Sequence, residues 1–384
     1  MSVIFLHPAI RTYRVELFER LSKYGVEFLF TSINSLDTPA GVETESILNT
    51  TAIKYHQCKE ISLFGKKNFS FDLFRVFKYQ TVVFSCATSI PFLLLSLPLH
   101  ILGKRIILFD ELWKYPDQKV YHLLRPLVRF LVKKTVDSFV PAGTCAAKYM
   151  KSEYGAADDN IHIAFNTTEL TNICSQFLGS SEQSKELKLN LGCEKTPVVL
   201  YLGRIVKYKG LDILLNAVAK LDFNIKLLVV GDGDFATECK ALARNLSIAD
   251  HVFFWGACNI EESPCFYKLA DVFVLPTRFL PGDGVGYEAW GFTINEAMAN
   301  GIPVITTDAV GAAHDLIVND ETGWIFPAED FNSLADILRT VIGDLDHARE
   351  VAENGKSWVS SKCSYQQNEH AFCRAIGLNL SSLS

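Results

Sequence analysis

The sequence predicts an α/β protein of two doubly wound parallel-sheet domains, and three observations carry that expectation. Short, nearly continuous apolar runs alternate with segments of helical spacing along both halves of the chain. At 384 residues the chain exceeds what one hydrophobic core ordinarily serves. Between residues 166 and 195 polar residues take over, with Ser-rich and Lys/Glu-rich text around 180–188, the composition of a linker. The expected layout is a first domain over residues 1–170, a linker over 171–195, a second domain over 196–358, and a C-terminal helix within 359–384 that returns toward the first domain.

In the first half, Val3 to Leu6, Val26 to Thr31, Val82 to Phe84, Ile106 to Phe109 and Ser138 to Val140 read as strands. Continuous apolar strands separated by helices mean a parallel sheet covered on both faces. Residues 81–103 carry no Asp, Glu, Lys or Arg, and that length could span a bilayer. Pro91, Pro98 and the polar text Ser85-Cys86-Ala87-Thr88-Ser89 divide it instead into strand, loop and a helix from about Pro91 to Leu102. A further helix, from about Gln118 to Val136, carries Arg125, Arg129 and Lys133 at i, i+4 and i+8 beside Leu123, Leu124, Leu127, Val128 and Leu131. A basic stripe bordering an apolar face suits peripheral contact with an anionic membrane, and equally a solvated face over a core helix; both readings stay open.

The second half repeats the alternation. Val198 to Leu202 is a strand, after which Leu211, Leu214, Leu215 and Val218 recur at helical spacing. Strands follow at Ile225 to Val230, Val252 to Trp255, Val272 to Leu275, Val304 to Thr306 and Trp324 to Phe326. Leu334, Ile337, Leu338 and Val341 mark an amphipathic helix, and a last helix runs from about Tyr365 to Ile376. Two such domains facing each other would leave a cleft lined by the carboxyl ends of their strands, where ligands bind in open α/β sheets.

Composition narrows the function. A net charge of −6 offers no basic face, so nucleic acid is not an expected partner. Ten cysteines are spread from Cys58 to Cys373 without a C-x-x-C pair or a His at zinc spacing, which reads as reduced thiols in a cytoplasmic protein. Met1 to Pro8 looks like a first buried strand and not a signal peptide. No G-x-G-x-x-G follows a strand, which disfavours a nicotinamide enzyme.

Two motifs carry chemistry. Gly203-Arg204-Ile-Val-Lys-Tyr-Lys209-Gly210 follows the first strand of the second domain. Glycine lets backbone approach a ligand, Arg204 offers a planar fork of donors, and Lys209 a mobile point charge; together they suit a diphosphate. Later comes Glu288-Ala-Trp-Gly291-Phe292-Thr293-Ile294-Asn-Glu296-Ala-Met-Ala-Asn-Gly301-Ile-Pro303. A glycine turn feeds a helix that begins near Phe292 or Thr293, whose first amides and positive dipole end suit phosphate oxygens. Glu288 precedes that helix and Glu296 lies within it, so two carboxylates can address different parts of one ligand.

These residues resemble a retaining glycosyltransferase of the GT-B fold, family four, whose signature is two glutamates in the pattern E-x7-E. The resemblance is strong over residues 198–345 and weaker before them. Gly231-Asp232-Gly233, Phe254-Trp-Gly256, Ala270 to Pro276 and Thr306-Thr-Asp308-Ala-Val-Gly311 stand in the family's order. The resemblance implies that Arg204 and Lys209 hold the donor diphosphate, with Gly203 at the loop, and that Glu296 bonds the ribose hydroxyls. It also implies that Glu288 contacts the donor sugar and that the amides of Gly291, Phe292, Thr293 and Ile294 cap the distal phosphate. Fixed cations and helix-start donors stabilise the charge that builds on a departing diphosphate, so no metal is expected. Arg204, Lys209 and Glu288 are therefore the expected catalytic residues.

The resemblance departs at the first strand, where relatives carry paired glycines and this chain reads His7-Pro-Ala-Ile-Arg11-Thr-Tyr-Arg14. His7 and Arg11 are candidates for an acceptor phosphate, and Asp110 and Glu111, at the end of a strand, are expected to face the acceptor side of the cleft. Asp232-Gly-Asp234 matches a D-x-D metal pair, a reading that the flanking glycines weigh against. The expected activity is transfer of a hexose from a UDP or GDP sugar to a saccharide or lipid-linked saccharide, in surface polysaccharide or glycolipid synthesis, at the inner face of the cell membrane. The alternatives are a UDP-N-acetylglucosamine 2-epimerase of the same fold and a catalytically idle scaffold.

Overall fold

The computed structural model describes residues 2–31, 47–58, 61–63, 66–170, 181–259, 262–280 and 286–378. They gather into two units, one formed by 1–168 with 364–384 and the other by 169–363.

The first unit is built on a parallel sheet of six strands: β1 (Val3–His7), β2 (Val26–Phe30), β3 (Tyr55–Gln57), β6 (Thr81–Phe84), β7 (Arg105–Asp110) and β8 (Ser138–Pro141). Their spatial order is β3-β2-β1-β6-β7-β8, with a short antiparallel ribbon, β4 (Ile61–Leu63) and β5 (Lys66–Phe69), between β3 and β6 in the sequence. Val3 and Phe5 enter one core with Phe18, Phe28 and Phe109, while Ile4 and Leu6 enter another with Leu29, Phe84 and Leu108. Burial of both faces is why these strands read as unbroken apolar runs.

The uncharged stretch 81–103 divides into β6 and a helix, Ile90–Ile101, whose start is capped by the Ser89 hydroxyl accepting from the Phe92 N–H. Among the described residues no helix is long and apolar enough to cross a membrane. That helix and its packed neighbour Lys119–Thr135 both leave apolar side chains in water: Ile90, Leu94 and Ile101 on one, Val120, Leu123, Leu127 and Phe130 on the other.

The helix Tyr365–Ile376 completes the first unit. Phe372 lies 5.6 Å from the Phe5 ring and 5.4 Å from that of Phe109, and the Arg105 guanidinium donates to the Ala375 carbonyl.

The second unit repeats the plan with β9 (Val198–Leu202), β10 (Lys226–Val230), β11 (Val252–Gly256), β12 (Val272–Leu275), β13 (Val304–Thr307) and β14 (Trp324–Phe326), in the order β11-β10-β9-β12-β13-β14. With the ribbon set aside, both sheets have the strand order 3-2-1-4-5-6, which reverses direction beside the first strand and opens a ligand-binding crevice at the strands' carboxyl ends. The stretch expected as a linker differs from expectation in carrying a helix, Ser181–Asn190, packed on Ser263–Leu269. Its Glu, Gln, Lys and Leu content looks like solvated linker text but consists of good helix formers.

Candidate functional site

In the second unit, β9 ends at Leu202 and the chain turns at Gly203, whose N–H donates to the Val230 carbonyl. A Cβ on Gly231 would stand 1.9 Å from the Gly203 carbonyl oxygen, so the loops after β9 and β10 meet backbone to backbone. Beyond that contact Arg204 is exposed, its carbonyl accepting from the buried Tyr201 hydroxyl at 2.7 Å and its guanidinium donating to the Tyr208 hydroxyl at 2.9 Å.

Lys209 closes the same loop and forms an ion pair with Glu288, their side chains only 12% and 18% exposed. Glu288 is held by its backbone, the N–H donating to Ala309 and the carbonyl accepting from Gly311. Arg204, Lys207, Tyr208, Asp234 and Glu288 line one cavity of about 810 Å³. Three residues on, Gly291 has φ 103° and caps the helix Phe292–Ala299, which no side chain caps. A Cβ there would lie 2.8 Å from Val310 Cγ1. The cavity wall and the helix start thus share one short stretch of chain; the Ile294 N–H, expected to cap a phosphate, instead donates to the Gly291 carbonyl at 2.9 Å and closes the first turn.

Glu296, one turn into that helix, is half-buried and not among the residues walling the cavity. Its carboxylate accepts from the buried Tyr267 hydroxyl at 2.8 Å, and burial outweighs that bond to push it up to about 7. Asp232 Oδ1 accepts from its neighbour's N–H, that of Gly233. Among the described residues no cluster of three or more His, Cys, Asp or Glu could hold a metal.

The acceptor candidates lie in the first unit. His7 Nδ1 donates to the Ala9 carbonyl at 2.6 Å; burial and then the charge of Arg14 depress it to about 4, so at neutral pH it offers no positive charge. The cation here is Arg14, buried, ion-paired with Glu111 and donating to Asn166 Oδ1 at 2.8 Å over the Phe109 ring. Arg11 is half-buried just before the turn Thr12–Arg14, its carbonyl accepting from the Arg14 N–H. Asp110 is buried and accepts from the N–H groups of Leu112 and Ala87, at 3.0 and 3.4 Å; desolvation pushes it up to about 7. Its carboxyl therefore joins the loops after β6 and β7, whereas the sequence placed it facing the acceptor.

Sequence reasoning passed over Tyr208, Tyr267 and Arg14. Tyr208 stood inside a quoted motif, four residues after Arg204. Arg14 ended another. Tyr267 left no local sign, because its partner lies on a helix after the next strand. The basic stripe also changes meaning: the Arg125 fork meets both Glu153 oxygens at 2.7 Å and Arg129 stands 3.8 Å from the same carboxylate.

Residues 183–358 match the profile of the family described as Glycosyl transferases group 1. The chain is 31% identical over 180 residues to a GDP-mannose-dependent alpha-(1-6)-phosphatidylinositol monomannoside mannosyltransferase of Mycobacterium tuberculosis, covering 46% of each chain. It is 33% identical over 178 residues to the capsular polysaccharide biosynthesis glycosyltransferase CapM of Staphylococcus aureus, covering 44% of this chain and 43% of that one. The chain thus matches about half the length of these curated relatives. Across nearly its whole length it superposes on Alr3699/HepE of Anabaena in complex with UDP, with a TM-score of 0.77, 15% identity and coverage of 98% of this chain and 100% of that one. The glycosyltransferase part of the resemblance agrees with this match over residues 183–358, and the fold is GT-B, with two Rossmann-like domains.

Proposed function

We propose, from the group 1 glycosyl transferase match over residues 183–358, that this chain is a retaining, metal-independent hexosyltransferase. It would move a hexose from a UDP or GDP sugar to a saccharide or lipid-linked saccharide, in surface polysaccharide or glycolipid synthesis. The relatives divide on the donor base, one named for GDP-mannose and the other structure holding UDP. One observation carries the reading: Arg204 and Glu288 line a single cavity, with Lys209 paired to Glu288 and a helix start three residues beyond it.

Arg204 and Lys209 neutralise the diphosphate as its bond to the sugar breaks, and the amides of residues 291–293 receive the distal phosphate. Glu288 orients the donor sugar. The test is a thermal-shift panel of UDP, GDP, ADP and dTDP sugars with chelator present, since a ligand bound to the folded state raises its apparent stability. One nucleotide class stabilises the wild type, and Arg204→Ala abolishes the shift; an unchanged shift in that variant overturns the site. NMR of the product then reads the anomeric configuration, and release of a free 2-epimer without acceptor would assign an epimerase.

A lipid-linked acceptor calls for a membrane-facing surface. Glu153 already neutralises part of the basic stripe, so the contact would rest on the exposed apolar stripes of Ile90–Ile101 and Lys119–Thr135, with Leu123 81% and Ile101 74% exposed. Lys119, Lys133 and Lys134 are exposed on the second helix and suit anionic headgroups. Flotation with phosphatidylglycerol vesicles tests this: wild type floats and Leu123→Ser/Leu127→Ser does not, at unchanged Tm. A wild type that stays in the pellet removes the proposal.

A further inference from the structure

Tyr267 sits in the helix Ser263–Leu269 that leads into β12. It is fully buried, its ring 5.9 Å from that of Phe273. A phenol buried this deeply needs a partner for its O–H. The hydroxyl reaches Glu296 Oε2 at 2.8 Å and the Thr293 carbonyl at 3.5 Å, so Glu296 is its principal acceptor. Among the described residues the Tyr267 hydroxyl is the one group that bonds the Glu296 carboxyl, and it does so at Oε2, not Oε1.

We infer that Tyr267 is a positioning residue: it ties down one oxygen of Glu296 so that the other receives a vicinal diol, the ribose of the donor nucleotide. The inference rests on Glu296 being the ribose-binding group. A diol offers two donors and therefore prefers an ionised carboxylate, as does the phenol O–H. Burial opposes ionisation, holding Glu296 at about 7 in the free protein. Among the described residues the Cys258 thiol also lies near it; burial and then Glu262 and Glu296 push that thiol up, so it stays neutral. Nucleotide binding at pH 7 should accordingly release about half a proton from Glu296.

The test uses UDP and GDP, each beside its 2′-deoxy counterpart, titrated calorimetrically from pH 6 to 8.5 in two buffers of different ionisation heat. Wild type should favour the ribonucleotide, release about half a proton at pH 7, and weaken as pH falls below 7. Tyr267→Phe loses the donor and little volume. It should bind the ribonucleotide about tenfold more weakly, the size of one lost hydrogen bond to a charged group. It should also lose most of the preference over the deoxynucleotide and move the pH fall-off upward. In turnover the donor KM rises while kcat holds. A purely structural tyrosine would lower Tm without altering the ribose preference. Glu296→Gln separates the two ideas. If it keeps the ribose preference, the ribose assignment of Glu296 is wrong. If it loses that preference while Tyr267→Phe keeps both preference and pH profile, or if wild type releases no proton, the role of Tyr267 is overturned.

Discussion

Replacing Lys209 by Met should separate stability from binding. The substitution keeps the side chain's bulk and removes one member of an ion pair whose side chains are 12% and 18% exposed. Deleting one partner of a fully buried pair costs about 3 to 5 kcal/mol, and of an exposed pair about 1 kcal/mol or less. Glu288 borders an open cavity, so water reaches it, and a loss of about 2 kcal/mol is expected. For a unit the size of 169–363 that is a fall in Tm of about 4 to 8 °C. Adding Glu288→Gln removes the stranded charge and should restore most of the loss. Nucleotide affinity should not return, because the charged donor to the phosphates is still missing, worth about 1.5 to 3 kcal/mol, or tenfold and upward in Kd. Urea melts and calorimetry with UDP or GDP read the two quantities on the same samples. A double variant as unstable as Lys209→Met would show that the pair is not desolvated. Recovered affinity in that variant would show that Lys209 works only by holding Glu288.

Three further outcomes follow from the geometry. Gly291→Ala forces a Cβ into φ 103° and to 2.8 Å from Val310 Cγ1; it should cost about 1 to 3 kcal/mol in a denaturant melt and weaken nucleotide binding with it. His7, at about 4 when folded against 6.5 when unfolded, is refused a proton by the native state that the unfolded chain accepts. Its contribution is therefore intact above pH 6.5 and lost as pH falls toward 4, by about 3 kcal/mol, and urea melts of His7→Gln should lack that slope. Glu153→Ala frees Arg125 and Arg129, which are 40% and 44% exposed; a Tm scan should register about 1 kcal/mol of loss, while binding to anionic vesicles should rise.

Much of the fold was legible because the inner strands of both sheets bury two faces, leaving runs such as Val198 to Leu202 with no charged residue to misread. Ser181–Asn190 was not, since Ser, Lys and Glu serve equally in a solvated helix and in a linker. At the site, Arg204, Lys209 and Glu288 could be read because close backbone approach demands glycines around them, and glycine punctuation survives in the text. Tyr267 could not, because a phenol that bonds a carboxylate on a distant helix looks locally like any core aromatic. His7 shows the same limit: burial and the neighbouring Arg14 depress it, and Arg14 is held there by Glu111, which lies far along the chain.

Phe372 and its helix finish a core that Val3 and Phe5 begin. During synthesis, that core must wait for residue 376 to leave the ribosome, whereas 169–363 is complete before then. The second unit can thus mature first, while the core of the amino-terminal sheet stays incomplete until that helix emerges. A nascent chain stalled before residue 365 would expose Phe5 and Phe109, a natural target for chaperones.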